Sequence, residues 1–487
     1  MALNFPLEQM EMEGSQRAPR RVADEKEQSI VKAAADLPPH DGSIYSRGKN
    51  PYTPSSDPRM DPRLRKFLDD LNEKNEEEKD DPISNAPTGC SREQTMQRLK
   101  YLEEIFKAGN ASKAGDWKND DGVKSELVVI PGIDGNNIKA TVYEPSMDCG
   151  DEIIVGSTIV WFHGGGMAIA SSFDPTRVRI GKELARLGVR VILPEFRNSV
   201  DGHVFPAALH DCYSTGTAYS SDDVVWASTR YNESVLVSGE SGGGNLAIAT
   251  CLLAKKKKNI RIIKGCYALC PFICGSYPSS AFPSIAYYQN YLCSISFLSD
   301  CARLYTADDD ADAATSSLAW PSYATIEELK DLPPTLIHIN ELDLLYDEGV
   351  QFYRSLLAAG NKGARMNVVG GTFHAADTFS GLMEDIAHAT RVSVVQFALE
   401  CTSDGGSSSD DGEQSSSSNS NTLCMGVKKS TKPSSGNLSC PLPLNWALVT
   451  SFGFGVIIGG VGGLMYGVFH GMHVTFEAFL PQPTKKN

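Results

Sequence analysis

The stretch of this chain best suited to chemistry is Gly239-Glu240-Ser241-Gly242-Gly243, which fits the pattern G-x-S-x-G. It lies directly between an apolar run, SVLVS, and a helical run, GGNLAIATCLLA. A strand that turns straight into a helix brings backbone against backbone, so the flanking positions must be small and the central side chain is pushed outward. The helix N-terminus behind the turn favours negative charge at that point. Ser241 is therefore a candidate nucleophile, and a serine hydroxyl needs a neighbouring base to take its proton. The competing reading is an ordinary glycine-rich turn, since the five-residue pattern alone often occurs by chance. The strand-turn-helix setting favours the nucleophile.

Four histidines bear on the base. His374 follows the last predicted strand and a Gly370-Gly371 turn, which places it on a loop at the carboxyl edge of a sheet. His338 sits inside the run TLIHIN and reads as a satisfied core histidine, His388 reads as a surface residue of the C-terminal helix, and His210 precedes the nucleophile. His374 is the expected base. Asp343 ends the loop after TLIHIN and suits the task of orienting the imidazole and stabilising its cation. Asp347 and Glu348 are rivals, but acids at the start of a helix are favoured by its dipole in any case. His163-Gly164-Gly165-Gly166 follows the strand STIVWF and suits backbone N–H donors for an oxyanion, because glycine lets backbone approach a ligand. A phosphate cradle would want a Lys-Ser/Thr pair after the glycines or G-x-G-x-x-G, and neither is present.

These residues need a scaffold, and the apolar patterning supplies one. ELVVIPG and NIKATVYEP read as an antiparallel pair, followed by strands at 157–162, 190–194, 234–239, 263–270, 335–340 and 364–369. Helical patterns at 177–188, 207–220, 243–255, 346–360 and 380–400 alternate with them. Such alternation predicts an α/β fold with a mostly parallel sheet and helices on both faces. In such sheets chemistry gathers at the carboxyl ends of strands, where each motif above falls. An amphipathic helix over 92–108, with Met96, Leu99, Leu102, Ile105 and Phe106 on one stripe, opens the folded part. Cys266, Cys270 and Cys274 repeat every four residues, a spacing that raises the question of a metal, but the run GCYALCPFIC reads as a buried strand and loop. No metal and no cofactor is expected.

HGGG, GESGGGNL, ELDLLYDEG and GTFHAAD occur in that order, with FPAALHD and LPPTLIHINELD alongside. Together these motifs resemble the hormone-sensitive-lipase-like branch of the α/β-hydrolases over roughly residues 95–400. The resemblance implies an α/β-hydrolase fold and a triad of Ser241, Asp343 and His374. It also implies oxyanion donors from Gly165, Gly166 and Gly242, with His163, Gly164, Gly239, Glu240 and Gly243 as supporting motif residues. It further implies a helical cap recruiting 92–108 and the insertion 276–305. The family's usual GDSAGG reads GESGGG here, Asp343 is followed by Leu344 where proline is usual, and Ala375 follows the histidine where glycine is commoner. These departures bear on substrate preference and remove no catalytic atom. The implied reaction is hydrolysis of a small-molecule or lipid ester through an acyl-enzyme. A non-catalytic small-molecule receptor on the same fold and a membrane-anchored scaffold are the alternatives.

The remaining chain frames that domain. A net charge of −15 argues against nucleic acid as a partner, because phosphate binding needs a basic footprint. Residues 1–91 are rich in charge, proline and serine and are expected to be disordered, 92–401 to form the catalytic domain, and 402–440 to be a Ser/Gly/Asp-rich linker. Residues 441–476 contain an apolar run long enough to span a bilayer, and 477–487 are a short tail. Gly455, Gly459, Gly463, Gly467 and Gly471 lie on one face of that run, a spacing suited to self-association of helices. Cys424 and Cys440 flank it as acylation candidates. With no secretory signal, such an anchor would leave the catalytic domain facing the cytoplasm, and the alternative is a soluble cytoplasmic protein. Lys255–Lys258 are expected to cap the negative end of their own helix, with a membrane-contact patch as the rival.

Overall fold

A computed structural model describes residues 50, 52–77, 91–113, 122–146, 157–217, 235–279, 281–307 and 310–403. Eight strands form one sheet: β1 (Val123–Pro131), β2 (Asn137–Pro145), β3 (Thr158–Phe162), β4 (Arg190–Pro194), β5 (Val235–Glu240), β6 (Ile263–Leu269), β7 (Thr335–Asn340) and β8 (Arg365–Val369). Their spatial order is β1-β2-β4-β3-β5-β6-β7-β8. β1–β2 and β2–β4 pair antiparallel, and every other pair is parallel. All eight strands lie where the apolar runs predict them. β3, β5 and β7 are buried along their whole length, as expected of parallel strands covered on both faces. Edge strand β1 instead leaves Leu127 and Val129 exposed.

The longer helices are α1 (Pro62–Glu77), α2 (Arg92–Lys113), α3 (Pro175–Arg186), α4 (Ala207–Thr217), α5 (Gly242–Lys256), α6 (Ile295–Thr306), α7 (Tyr346–Ala358) and α8 (Glu384–Ser403). One face of the sheet packs on α4, α5 and α7 through Leu209, Leu246, Ile248 and Phe352. The other packs on α3 and α8 through Ile180, Leu184, Val394 and Phe397. The central strands therefore run between two apolar layers, and the loop after β3 meets α2 through the Ala170 N–H on Glu103 and α6 through Gly166 against Cys301. Those two helices, which overlap the stretches expected to form a cap, are tied by a buried ion pair between Arg98 and Asp300. Arg92 also donates to the carbonyls of Arg303 and Leu304, at the end of α6.

Within the N-terminal extension, residues 52–77 depart from the expected disorder. Met60, Leu64 and Leu68 recur at four-residue spacing and are buried in the main core. This stripe is one residue wide and set among charges, so composition hid it. Asp61 donates its N–H to the carbonyl of Gly371 at 3.0 Å, and Phe67 stacks on Phe373 with ring centroids 6.2 Å apart. Upstream, Asp57 pairs with Arg59 at 2.6 Å and accepts from the Tyr291 hydroxyl at 2.9 Å. The segment thus straps the loop after β8 to the insertion before α6.

The lysine run also differs from expectation. Lys255 donates to the carbonyls of Glu327, Glu328 and Lys330, so it caps the short helix Ile326–Leu329 and not its own. Among the described residues no helix is long and apolar enough to cross a membrane. The apolar stretch 441–476, its glycine repeat, Cys424 and Cys440 lie outside the described residues.

Leu64 is fully buried while Lys66, two residues on, is exposed with its salt bridge to Asp70 in solvent. Leu64→Ala is expected to lower the unfolding free energy by about 2–5 kcal/mol. Lys66→Ala should change it by no more than about 0.5 kcal/mol. Denaturant midpoints measure both, and equal, negligible effects would show that α1 is not part of the core.

Candidate active site

β5 runs into α5 with one residue between them. That residue, Ser241, has φ 57° and ψ −117°, a conformation L side chains rarely adopt. The hydrogen bonds that hold it there are to neighbours across the sheet. Its N–H donates to the carbonyl of Leu269 at 2.9 Å, and its own carbonyl accepts from Phe272 at 3.1 Å. The small flanking residues are a geometric need: a Cβ on Gly239 or Gly243 would collide with the carbonyl oxygen of Phe162, the last residue of β3. Ser241 retains 9% of its exposure, enough for its hydroxyl to face outward from a closed floor.

His374 and Asp343 complete a line with it. Ser241 Oγ lies 2.9 Å from His374 Nε2, and His374 Nδ1 lies 2.8 Å from Asp343 Oδ2. This matches a neutral imidazole that donates from Nδ1 to the carboxylate and accepts the serine proton at Nε2. Asp343 is 1% exposed and accepts a further hydrogen bond from the Leu345 N–H at its other oxygen, 2.9 Å away. Burial pushes the His374 pKa down, but the charge and hydrogen bond of Asp343, helped by Asp377 and Glu240, outweigh it and leave the pKa above its ordinary 6.5.

The rivals fall elsewhere. His338 is buried against Tyr267 and Asp377, His210 bonds Asp134 at 2.8 Å, and His388 is exposed. Asp347 accepts from the N–H of Ser284, and Glu348 accepts from Tyr277 and from the Ile273 N–H. Of the three spaced cysteines, Cys270 alone reaches the site, its sulfur within 4.8 Å of ligand atoms of Asp343 and His374. Burial lifts its thiol pKa well above the usual range, which keeps it a small protonated core group.

The glycine loop after β3 lies against the Ser241 turn. A Cβ on Gly242 would come within 2.7 Å of the Met167 nitrogen and 2.9 Å of Gly166 Cα. Gly165 and Gly166 adopt φ of 110° and 63°, open to glycine and strained for other residues. The side chain of Glu240, only 2% exposed, fastens this loop. Glu240 Oε1 accepts the Gly164 N–H at 2.8 Å and pairs with Arg177 at 3.0 Å, while Oε2 accepts from Trp161 Nε1 at 2.7 Å. The residue before the serine, a departure from the usual aspartate, is therefore a brace between the two motifs. Arg177 and Trp161 carried no sequence signal for this role, because neither lies in a motif. His163 is buried, stacked on Phe196 at 4.0 Å, and its Nδ1 donates to the Gly164 carbonyl at 2.7 Å. Burial lowers its pKa to about 3, with Arg177 adding to the effect.

Comparison with known proteins agrees with this fold. The sequence model of a family described as an alpha/beta hydrolase fold matches residues 159–378. Vegetative-specific protein H5 of Dictyostelium discoideum is 28% identical over 213 residues, 42% of this chain and 58% of that protein. The carboxylic ester hydrolase LipN of Mycobacterium tuberculosis is 29% identical over 245 residues, 47% of this chain and 58% of that protein. The matched segment thus spans less than two thirds of either curated relative. Among solved structures, a brefeldin A esterase described as a bacterial homologue of human hormone sensitive lipase superposes with a TM-score of 0.62 and 30% identity. That match covers 72% of this chain and 96% of the other.

The two histidines at this site differ in electrostatic setting, which NMR titration of histidine-labelled protein measures. His163 is expected to stay neutral from pH 4 upward, and His374 to lose its proton at a midpoint above 6.5. A His163 midpoint near 6.5 would contradict the enclosed, stacked environment described above.

Proposed function

The chain belongs to the hormone-sensitive-lipase-like family of α/β-hydrolases, and from that premise we propose that it is a serine carboxylester hydrolase acting on small-molecule or lipid-like esters through an acyl-enzyme. The observation that carries this reading is the hydrogen-bonded line Ser241–His374–Asp343 lying beside the glycine loop.

In the proposed reaction His374 Nε2 takes the Ser241 proton as Oγ bonds to the ester carbonyl carbon. The carbonyl oxygen becomes an oxyanion, held by the N–H groups of Gly165, Gly166 and Gly242. Collapse of this intermediate breaks the bond to the alcohol oxygen, which leaves with the proton returned by His374. The acyl group is then an ester of Ser241. A water molecule repeats the sequence, giving its proton to His374 as its oxygen attacks, and the acid leaves as Ser241 Oγ recovers the proton. Asp343 holds the imidazole in the tautomer that accepts at Nε2 and lowers the energy of its cation. Ser241 meets the carbonyl already strained and already aimed, so little reorganisation is left to the reaction itself.

Turnover of p-nitrophenyl acetate and longer p-nitrophenyl esters, with fluorophosphonate labelling, tests the proposal. Ser241→Ala should abolish labelling, and Asp343→Asn should lower kcat by roughly 10⁴-fold. Because His374 must be neutral to act as base, kcat/KM should rise with pH through a midpoint above 6.5. A wild-type protein that binds esters but neither turns them over nor takes the probe would favour the receptor alternative.

Gly242→Ala gives a more specific outcome. Its Cβ must push Met167 and Gly166 aside, and those atoms belong to the proposed oxyanion cradle. A fall in kcat of about 10- to 100-fold with little change in KM is expected. An unchanged kcat would remove Gly166 and Gly242 from the mechanism.

A further inference from the structure

Behind the candidate triad lies a second buried histidine–carboxylate pair that the reaction above does not use. His338 Nε2 is 2.7 Å from Asp377 Oδ2, both groups are almost wholly buried, and Asp377 stands three residues after His374. The pair is built from four elements. From β7 come His338 and Asn340, from β6 Tyr267, from α8 Thr390 and Ser393, and from the loop after β8 Asp377 itself. Thr390 Oγ1 donates to Asp377 Oδ2 at 2.9 Å, and Asn340 Nδ2 donates to Asp377 Oδ1 at 2.9 Å. On the far side of His338, Nδ1 lies 2.8 Å from the Tyr267 hydroxyl, which in turn lies 3.0 Å from Ser393 Oγ.

This constellation grips the loop on both sides of His374. Asn340 Nδ2 also donates to Thr372 Oγ1 at 2.8 Å, two residues before His374. Asn340 Oδ1 accepts the N–H of Ala375, one residue after it, at 3.1 Å. A single amide therefore spans the base, and Asp377 anchors the loop beyond. Arg391 closes the far end by donating to the Thr378 carbonyl at 3.0 Å. A buried carboxylate is costly unless it is paired and hydrogen-bonded, and three donors, two from β7 and one from α8, meet that need here.

We propose that Asp377, held by His338, Asn340 and Thr390, is a positioning residue for ester hydrolysis: a second buried carboxylate that fixes the His374 loop and adds to the negative field on its imidazolium. The inference rests on the reading of His374 as the base. The charge part of the argument has a stated sign. Burial pushes the Asp377 carboxyl pKa up, but its contact with the His338 imidazole and the hydrogen bonds from Asn340 and Thr390 more than offset this and hold it below the usual range, so Asp377 is ionised. Asp377 is among the groups that raise the His374 pKa, after Asp343 and ahead of Glu240. The other ionisable groups facing His374 or Asp377 are Cys270, whose thiol stays protonated, and the cation Arg391, which pairs with Glu183 of α3 at 3.5 Å. Glu240 itself is paired with Arg177. Loss of the Asp377 charge must then lower the pH at which His374 becomes neutral, and it must also raise the energy of the imidazolium formed during reaction.

The test uses the full chain, with Asp377→Asn and Asn340→Ser compared with wild type. In Asp377→Asn the His374 midpoint, read by NMR and by the acid limb of kcat/KM for p-nitrophenyl acetate, should fall by roughly half a unit. Its kcat should fall by about ten-fold with KM near wild type. Asn340→Ser keeps every carboxylate, so its midpoint should stay in place while kcat falls because the loop is released. A purely structural role for Asp377 would reduce folded protein without moving the His374 midpoint. An unmoved midpoint in folded Asp377→Asn, or a wild-type kcat in Asn340→Ser, overturns the proposal; the latter decides the matter where Asp377→Asn does not fold. The NMR midpoint needs no substrate, so failure of wild type to cleave any ester would count against the enzymatic reading alone.

Discussion

Backbone touches backbone at the end of β3, where the turn around Ser241 passes against Phe162 and the glycine loop that follows it. This contact is tighter than any side chain permits, and the local sequence is shaped by it. Gly239 and Gly243 are glycines because the Phe162 carbonyl occupies the place of a Cβ, and Gly242 because Gly166 and Met167 do. The strained φ of Ser241 persists because the end of β6 and the loop after it over-determine it through Leu269 and Phe272. A serine held in this way cannot relax away from His374. The rest of the sheet then serves to bring Asp343 and His374 to the same edge.

A second constraint is electrostatic. Four carboxylates are buried near the Ser241 turn, and each has its own set of partners. Asp343 faces an imidazole, and Glu240 faces a guanidinium, an indole N–H and a backbone N–H. Asp377 faces a histidine, an amide and a hydroxyl. Glu348, facing Tyr277 and the backbone N–H groups of Ile273 and Cys274, has its pKa raised by burial to about 8. Asp377 is held below the usual range by His338 together with Asn340 and Thr390, whereas Glu348 has only neutral donors and burial prevails there.

Much of this was legible in the sequence, and the reasons are specific. Strands β3 to β7 are short, largely apolar runs set off by turns and alternating with helical ones, so the mostly parallel sheet could be read directly. Ser241, Asp343 and His374 could be picked because chain order and position at strand ends leave few candidates. Helix α1 was missed because its apolar stripe, Leu64 and Leu68, is narrow and crowded by charges, so its composition reads as disorder. The partner of His338 could not be found either. The histidine reads correctly as a satisfied core residue, but Asp377 lies 39 residues away and is delivered by the crossover through α7 and β8. Spacing within a motif carries no information about such a contact. Glu240 posed the same problem, since Arg177 reaches it from a helix that no motif includes.

The strap formed by the N-terminal segment has a consequence for how the protein is made. Asp61 hydrogen-bonds to Gly371, and Phe67 packs on Phe373, immediately before His374. A segment near residue 60 thus closes over one near residue 370, across some of the longest sequence separations in the fold. Closing so large a loop carries an entropic cost that only late contacts repay, and chains rich in such contacts fold slowly. During synthesis from the N-terminus, the turn around Ser241 and its glycine loop are complete long before His374 emerges. Ser241 therefore has no imidazole beside it until β8 and its loop are in place. The Ser241–His374–Asp343 line is in this sense completed last, and it reports that sequence-distant parts of the domain have come together.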